Sequence, residues 1–414
     1  MTDSGDMSGV NDMGGADDMC GADGLEGAGG SAGGVVDGTV DVLIVGAGPT
    51  GLTLACDLAL RGASVRVLDR RDGPHRESRG KGLHQSSLEV FERLGVAERL
   101  SALGTRDLTL RKYFDGAPVT DTPTAGGLLI CQWQVEEALR ERLADLGTRI
   151  EYGAEVTALD QDASGVTARR ADGRVVRAAY AAGCDGGRST TRGLLGIPFE
   201  GYTEENPTMV IADVRAPGLS REFWHQWFTS EGGGIMLCPM PGTDSFQLQA
   251  SPETDGRGRA LPPGPEGLQR LFDRHARMEG IRLRDVTWLS TWRVNVRRAA
   301  RMREGRVFLA GDAAHVHPIA GGLGMNTGIQ DAAALGRTLA GALAEQGPPE
   351  GIASEGIAAE ASAAGAGLDA YEAERLPAAA ALLADTVERH ERVLAAVREP
   401  GRGTEAGLDR PDRA

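Results

Sequence analysis

The segment from Asp41 to Arg71, DVLIVGAGPTGLTLACDLALRGASVRVLDRR, constrains the fold of this chain more than any other. Four apolar residues, Val42 to Val45, suit a buried parallel strand. A glycine turn then opens a helix, and a second predicted strand, Ser64 to Leu68, ends at Asp69. A strand, a glycine turn, a helix and an acid at the tip of the next strand are typical of a site for the ADP half of a dinucleotide.

Each position of the turn has its own physical reason. Gly46 permits the tight turn, Gly48 lets the backbone approach the pyrophosphate, and Gly51 lets the helix pack on the strand. The start of the helix, at Pro49 and Thr50, presents free N–H groups and the positive end of its dipole to the phosphates. We therefore predict that all five residues contact the cofactor.

The acid at the end of the second strand indicates which dinucleotide this site holds. We expect the carboxylate of Asp69 to accept hydrogen bonds from a ribose diol, with Arg70 beside it in the same site. A carboxylate here would repel a 2′-phosphate, which argues against NADP at this position.

A second, distant segment reads as part of the same site. Residues 305–335, GRVFLAGDAAHVHPIAGGLGMNTGIQDAAAL, provide one more strand, an acid and a glycine-rich loop that opens another helix. A chain that uses two distant segments for one long cofactor is expected to bind FAD rather than NAD.

Composition excludes several classes of protein. The 414 residues can form two domains, and the net charge of −15 argues against a nucleic-acid partner. No apolar stretch is long enough to span a membrane. The five cysteines are scattered without a CxxC pair, so we predict no metal site, no disulfide framework and a cytoplasmic location.

The chain is predicted to be an α/β protein: a Rossmann-like FAD-binding domain of the glutathione-reductase type, a second, mostly antiparallel β substrate domain, and C-terminal helices. The first residues are rich in Gly and acids and contain no Lys or Arg, so they cannot bury a core. The predicted segments are a disordered leader (1–38), a discontinuous FAD-binding domain (39–198 with 293–343), the substrate-binding β domain (199–292), a low-complexity loop (344–367), C-terminal helices interrupted at Pro377 (368–400) and a tail (401–414).

Three motifs together resemble the single-component FAD-dependent aromatic hydroxylases, the flavoprotein monooxygenases that include para-hydroxybenzoate hydroxylase. They are the GAGPTG turn, the segment CDGGRSTTR with Asp185, and Gly311-Asp312 after the strand RVFLA. The resemblance extends from Asp41 to Glu399. It is nearest to actinobacterial hydroxylases of aromatic polyketides and antibiotics, which share the forms ESRGKGLHQSSLEVFERLG and CPMPGTDSFQLQA.

The resemblance implies roles for individual residues. Asp185 would lie beside the pyrophosphate, Arg79 and Gln132 would contact the FAD, and Asp312 would accept hydrogen bonds from the ribityl hydroxyls. The loop at residues 321–326 would aim a helix N-terminus at the flavin, whose reduced form is anionic there. The cofactor contacts implied around this loop are Gly311, Pro318, Gly322, Gly324, Met325 and Asn326.

The resemblance also implies a reaction. NADPH or NADH would reduce FAD, O2 would form a flavin C4a-hydroperoxide, and one oxygen would pass to an electron-rich aromatic carbon. Such a reaction needs a water-excluding apolar pocket. Its predicted walls are Trp224, His225, Trp227, Met236, Cys238 and Met240.

Several alternatives stay open from the sequence. His225 is either an acid–base or substrate-binding group or a satisfied core residue, and no catalytic residue is assigned. On the strand FQLQA, either Gln247 and Gln249 or the opposite face meets substrate. The chain is expected to act as a monomer or homodimer with an aromatic small molecule and O2. The rival functions are an oxygen-independent flavin dehydrogenase or reductase, and a non-catalytic FAD-fold protein that binds a polyketide.

Overall fold

The computed structural model describes residues 36–124, 127–205, 209–318, 322–346 and 367–398. The helices are α1 (Pro49–Leu60), α2 (Gln85–Leu94), α3 (Ala97–Leu103), α4 (Gln132–Asp145), α5 (Thr190–Leu194), α6 (Pro265–Ala276), α7 (Leu323–Gln346) and α8 (Asp369–Arg398), with a 3-10 turn at Gly311–Ala313. The strands are β1 (Val36–Val45), β2 (Val65–Leu68), β3 (Lys81–His84), β4 (Thr109–Phe114), β5 (Ala117–Pro123), β6 (Gly127–Cys131), β7 (Ile150–Glu151), β8 (Val156–Asp162), β9 (Gly165–Arg170), β10 (Val175–Gly183), β11 (Phe199–Thr203), β12 (Met209–Arg215), β13 (Phe223–Phe228), β14 (Gly234–Pro239), β15 (Phe246–Ala250), β16 (Arg284–Trp292), β17 (Asn295–Ala299), β18 (Arg303–Glu304), β19 (Val307–Leu309) and β20 (His315–Val316).

The first sheet follows from the apolar run of β1. Its strand order is β18-β19-β10-β1-β2-β7, with parallel pairing from β19 to β7 and with β8 and β9 attached beside β10. Val42 and Ile44 enter the core beneath α1, α4 and α7, whereas Leu43 and Val45 join the core on the other face. Burial on both faces is why residues 42–45 of this strand are apolar at every position.

Strand β1 begins earlier than the sequence indicates. Residues 36–38 were assigned to the leader, yet β1 starts at Val36, which pairs with Val175 of β10. Gly38 has a φ of +83°, and the register shifts at this point. Backbone pairing with β10 explains the extension because it does not require apolar side chains. The rest of the leader, residues 347–366 of the low-complexity loop, and the tail lie outside the described residues; residues 344–346 end α7.

The second sheet has the order β16-β12-β15-β14-β13-β4-β5. Its pairs are antiparallel except for β13 and β4, which are parallel. Strands β4 and β5 were assigned to the FAD-binding domain but complete this sheet, whereas β11, assigned to the substrate domain, pairs with β17 in a separate sheet. These pairings correct both predicted domain boundaries. The sequence did not indicate them because periodicity carries no information on pairing between distant strands.

Residues 75–80 are not helical, and β3 pairs with β6 before α2 begins. One helical prediction is wrong, because helix α8 continues through Pro377 instead of being interrupted there. Tyr371 before the proline and Ala379 and Thr386 after it are all buried, so packing holds both halves of the helix in line. None of the described helices combines the length and apolar character needed to cross a membrane.

Candidate cofactor and substrate site

Two glycines of the turn, Gly46 and Gly51, pack tightly against the protein backbone, whereas Gly48 faces empty space. A Cβ on Gly46, whose φ is +107°, would lie 2.3 Å from the carbonyl oxygen of Cys184, and one on Gly51 would lie 2.0 Å from the carbonyl oxygen of Gly46. A Cβ on Gly48 would meet no atom within 4 Å. Gly48 is the N-cap of α1 and Pro49 follows it, so the free N–H groups of the helix face this open space.

The two distant segments meet at Thr50 and Gly311. A Cβ on Gly311, which has a φ of +61°, would lie 2.5 Å from Oγ1 of Thr50. The next residue, Asp312, is exposed at this junction. The structure therefore brings the glycine turn and the Gly-Asp motif together, as a site for one long cofactor requires.

Asp69 is held in place as an ionised acceptor. Its Oδ2 accepts a hydrogen bond from Ala47 N (2.8 Å), and its two carboxylate oxygens accept bonds from the Arg71 guanidinium at 2.9 and 3.1 Å. Burial alone would raise the pKa of Asp69, but the hydrogen bonds from Arg71 and Ala47 outweigh it and lower the pKa. Arg71 thus orients this acid, whereas Arg70, the residue selected from the sequence, is exposed.

Arg79, Gln132 and Met325 come from three elements and lie close together. Gly80 N donates to Oε1 of Gln132 (3.2 Å), and a Cβ on Gly80 would lie 3.8 Å from the Cβ of Met325. Arg79 precedes this glycine with a φ of +31°, an unusual backbone for a non-glycine residue. The structure therefore brings these three predicted contacts together.

Several buried polar atoms here have no hydrogen-bond partner among the described residues. They include Arg79 Nε, Glu136 Oε2, Arg140 Nη1 and the Tyr152 hydroxyl. Burial raises the pKa of Glu136, against the hydrogen bond from Gln132 and the neighbouring arginines. Buried polar groups normally have partners. The diphosphate and ribose hydroxyls of FAD would supply both acceptors and donors, so these residues fit FAD.

Asp185 organises the second motif. Its carboxylate accepts hydrogen bonds from Ser189 Oγ (2.5 Å) and Thr191 N (2.9 Å), and Ser189 in turn caps α5. Arg192 donates to the carbonyl oxygen of Ala313 (2.9 Å) and so ties this motif to the Gly-Asp motif. The predicted contact of Asp185 with the pyrophosphate stays a prediction.

Residues 323–326 of the predicted loop form the first turn of α7. Pro318 is buried, residues 319–321 lie outside the described residues, and α7 starts directly after Gly322. A Cβ on Gly324 would lie 3.5 Å from Nε2 of His317. The free N–H groups of this first turn are available to a ligand.

The structure corrects the predicted contact between the Asn326 side chain and the cofactor. Its Oδ1 accepts from His84 N (2.8 Å) and Ser87 Oγ (2.7 Å), and its Nδ2 donates to the carbonyl oxygens of Gly82 (3.2 Å) and Gly322 (3.0 Å). All four bonds are made within the protein. The side chain therefore fixes the start of α7 against β3 and α2, and it has no capacity left for a cofactor.

The glutamine face of β15 faces the FAD-binding segment. Gln247 Nε2 donates to Ser78 Oγ (2.6 Å) and to the carbonyl oxygen of Arg79 (3.0 Å), and Gln249 Nε2 donates to Oε1 of Gln247 (3.0 Å). Ser78 donates through both N (2.8 Å) and Oγ (2.5 Å) to the Asp213 carboxylate. The opposite face, with Phe246, Leu248 and Ala250, is buried beneath α6. The structure thereby decides the orientation that the sequence left open.

Two of the predicted pocket residues lie on the wrong face for this pocket. Trp227 is fully buried against Phe272 of α6, with ring centroids 5.6 Å apart, and His225 stacks on Trp227 at 5.0 Å. His225 shares hydrogen bonds with the Tyr113 hydroxyl (3.0 Å) and the Ser220 carbonyl oxygen (2.8 Å), and burial lowers its pKa. Both ring nitrogens are used, so His225 is a satisfied core residue. Side chains alternate along a strand, which is why residues 225 and 227 leave the face of residue 224.

Three of the remaining pocket residues share the glutamine face. Cys238 is in register with Gln247, and Met236 with Gln249. Trp224 lies beneath Lys81 of β3, whose Nζ is 4.5 Å from the indole ring centroid. Met240 is buried just after β14, outside this strand face.

A buried ionic network was missed from the sequence. The Asp331 carboxylate on α7 accepts from Gly311 N (2.9 Å), His315 Nε2 (2.7 Å) and Arg375 Nε of α8 (2.7 Å). Tyr371 of α8 donates to the carbonyl oxygen of Leu309 (2.8 Å). The network holds the backbone of the Gly-Asp motif. Tyr371 and Arg375 both lie in the polar segment YEAERLP of α8.

The comparisons with known proteins agree with this geometry. The FAD binding domain family matches residues 39–386. A flavin-dependent monooxygenase of Mycobacteroides abscessus is 38% identical over 87% of this chain and 76% of that protein. The rifampicin monooxygenase of Streptomyces venezuelae is 36% identical over 84% of this chain and 70% of that protein. The flavin-dependent monooxygenase PieE, solved with FAD and substrate, superposes with a TM-score of 0.74 at 26% identity, over 87% of this chain and 65% of that chain.

Proposed function

This chain belongs to the FAD binding domain family of flavin-dependent monooxygenases, and we propose that it hydroxylates a multi-ring aromatic substrate with NADPH or NADH and O2. It spans about two thirds to three quarters of the length of the relatives compared. We further propose that it acts in the cytoplasm and that its substrate is a polyketide or phenolic antibiotic. The relative from Streptomyces venezuelae is named for such a substrate, rifampicin.

The contact of the substrate sheet with residues 78–79, made by Gln247, carries this proposal. Gln247 donates a hydrogen bond to the backbone carbonyl oxygen of Arg79. The Nε of Arg79 is one of the buried atoms without a hydrogen-bond partner in the predicted cofactor site. The substrate sheet is therefore fixed directly against the cofactor segment. A ring bound on its glutamine face would lie next to the flavin, which is the arrangement that oxygen transfer requires.

The residues of the chain divide the work in the proposed reaction. FAD, when bound, would supply the redox chemistry with NADPH and O2 as co-substrates, so that one oxygen atom would reach the ring and the other would become water. The first turn of α7 stabilises negative charge on the reduced cofactor. Met236, Cys238 and Trp224 form the apolar wall that excludes water from the substrate.

Turnover with isotope-labelled O2 tests the proposed function. We would supply the FAD-loaded protein with NADPH and a panel containing anhydrotetracycline and rifampicin, and follow NADPH oxidation, H2O2 release and product mass. The proposal expects at least one product that carries a single labelled oxygen. Flavin reduction without labelled product would favour a reductase, and a flavin that NADPH does not bleach would favour a binding protein.

A pair of methionines locates the substrate. Met236→Ala removes part of the predicted wall and is expected to raise KM for the aromatic substrate several-fold, whereas Met278→Ala changes an exposed side chain outside the pocket. Equal KM values in the two variants would show that the substrate does not bind on the glutamine face.

A further inference from the structure

Lys81 is one of two lysines among the 44 basic residues of the chain, the other being Lys112. It begins β3, and its Nζ is buried without a hydrogen-bond acceptor among the described residues. The Nζ lies over the face of the Trp224 indole, 4.5 Å from the ring centroid. A cation over an aromatic face gains about 0.5–2 kcal/mol, but the three N–H donors of the ammonium stay unused.

The charged and ionisable groups around Lys81 do not neutralise it. Asp213, the carboxylate that acts on it, is already occupied by two hydrogen bonds from Ser78. Burial raises the pKa of the Cys131 and Cys238 thiols, so they stay neutral at physiological pH. Burial lowers the pKa of Lys81, against the opposing effects of Cys238 and Asp213. An acceptor from outside the protein would therefore stabilise the ammonium.

Two side chains on the face of β13 that Lys81 covers at Trp224 are also unsatisfied. Nε1 of Trp224 and Oε1 of Gln226 are buried without a hydrogen-bond partner in the described part of the chain. The two residues are two positions apart on β13, so their side chains share one face, opposite His225. This face also carries Met236, which is in register with Gln226. Two kinds of donor and one acceptor therefore border the apolar wall of the proposed substrate pocket.

We propose that Lys81, Trp224 and Gln226 bind the oxygen-bearing edge of the aromatic substrate, with the ammonium of Lys81 holding an ionised phenol or enol oxygen. This inference rests on the proposed function. Lys81 Nζ and Trp224 Nε1 donate to the anionic oxygen, and Gln226 Oε1 accepts from a neighbouring hydroxyl group of the substrate. The preferred substrate class is an aromatic with adjacent hydroxyl and carbonyl oxygens, as in a hydroxylated anthraquinone.

The arrangement also serves the chemistry. An ionised phenol oxygen raises electron density in its ring, and the proposed oxygen transfer needs an electron-rich carbon. Lysine suits this position because its ammonium is a compact charge with three rotatable donors, whereas arginine presents a wide planar fork. A buried cation in water-excluding surroundings attracts an anion more strongly than an exposed one would.

Lysine-selective NMR gives a direct test because only two lysine signals exist. The FAD-loaded protein would carry isotope-labelled lysine and be titrated with alizarin, a dihydroxyanthraquinone, and separately with its dimethyl ether. The Lys81 side-chain signal, assigned with Lys81→Met, should shift with alizarin and not with the ether, and the Lys112 signal should move less. The absorption spectrum of bound alizarin should be that of its anion at a pH where free alizarin is largely neutral.

Variants separate this role from a flavin contact. Lys81→Met should weaken alizarin binding by about 10-fold to 100-fold, the loss expected for a hydrogen bond between charged groups. It should leave FAD affinity unchanged and raise Tm without ligand, since an unpaired buried charge is removed. Lys81→Arg should recover part of the affinity, and Met278→Ala, which changes an exposed side chain outside the pocket, should match the wild type.

Each outcome decides the question. Unchanged alizarin affinity in Lys81→Met, an unshifted Lys81 signal, or a loss of FAD from this variant would overturn the inference. If the wild type hydroxylates an aromatic and Lys81→Met does so with the same KM, the anion site fails and the proposed function stands. If alizarin binds as an anion through Lys81 but no aromatic is hydroxylated, the site stands and the proposed function fails.

Discussion

Two acids near the Gly-Asp motif do different work. Asp312 is exposed at the junction of the two cofactor segments, whereas Asp331 is fully buried and bonded to His315, Arg375 and Gly311 N. The first is free to bind a ligand, and the second holds the backbone that presents it. A positioning residue and a contacting residue can therefore be tested separately.

Replacing Asp312 with alanine should weaken FAD binding. Hydrogen bonds to a charged group are worth about 1.5–3 kcal/mol, so we expect roughly a 10-fold to 100-fold rise in the FAD dissociation constant. Titration of the FAD-free protein, followed by quenching of flavin fluorescence, measures it. Asp160→Ala, which changes an exposed acid on β8, is the control. Wild-type affinity in Asp312→Ala would show that this acid does not hold the cofactor.

The His315–Asp331 pair should make stability depend on pH. Burial alone would lower the pKa of His315, but the charge and hydrogen bond of Asp331 outweigh it and raise the pKa. The stabilisation is therefore complete below the unfolded histidine pKa of about 6.5 and is lost as pH rises through the folded value. The pKa of Asp331 is lowered, with His315 and Arg375 outweighing burial, so its own contribution is lost only as pH falls below about 4.

His315→Gln should thus destabilise the protein most between about pH 4 and pH 6.5, by about 3–5 kcal/mol, and less at about pH 8.5. Urea unfolding at several pH values measures this difference. His390 is the control, because burial lowers its pKa and its pH dependence should have the opposite sign. A His315→Gln effect that is constant with pH would mean that the pair is not ionised.

At the scale of elements, helices α1 and α7 approach closely through glycine. A Cβ on Gly328 would lie 2.3 Å from Thr50 Oγ1, and one on Gly336 would lie 2.0 Å from Oδ2 of Asp57. Thr50 stands in the first turn of α1, at the pyrophosphate end of the predicted cofactor site. The contact between these helices therefore positions the N-terminus of α1, which is predicted to bind phosphate.

Gly328→Ala should push Thr50 and disturb this helix start. We expect a loss of about 1–3 kcal/mol of stability, as for other overpacked sites, together with weaker FAD binding. Gly267→Ala on α6 is the matched control, since its Cβ would meet only side-chain ends, at 3.4 Å from Arg270 and 3.5 Å from Glu253, and alanine favours a helix by about 0.8–1.0 kcal/mol. Thermal melts with and without FAD compare them. Equal Tm values for the two variants would contradict the close contact.

At the scale of the whole molecule, one hydrogen-bonded junction joins the substrate sheet to the cofactor segment. Asp213 of β12 and Gln247 of β15 both bind Ser78. Asp213 is buried, and burial raises its pKa against the hydrogen bonds from Ser78. The carboxylate therefore depends on this serine for its stabilisation, and the relative position of the two parts depends on both.

Ser78→Ala should loosen the junction and uncouple the proposed reaction. The variant leaves Gln247 Nε2 and one Asp213 oxygen without their hydroxyl partner, at a cost of about 1–3 kcal/mol. The ratio of H2O2 released to NADPH consumed should rise while FAD affinity holds. Ser101→Ala, on the exposed surface of α3, should stay coupled. Unchanged coupling in Ser78→Ala would show that the junction does not shape the reactive geometry.

The sequence by itself determined the cofactor half of the protein. The glycines at 46, 48 and 51 and the acid at 69 act within one strand–turn–helix–strand unit, where spacing along the chain fixes spacing in space. The comparisons confirm the family and the FAD cofactor. The structure adds Arg71, which binds Asp69, because local sequence does not record the direction of neighbouring side chains after a strand. The cofactor contact of Arg70 stays a prediction.

Only the tertiary structure decided how the substrate sheet is built and which way its faces point. The membership of β4 and β5, the face of Trp227 and the four hydrogen bonds of Asn326 all depend on partners far away in the chain. A strand pattern predicts two faces with equal weight, and the packing of α6 on one of them makes the choice. The burial of the Lys81 ammonium could likewise be found only in the structure, because burial is a property of the assembled fold.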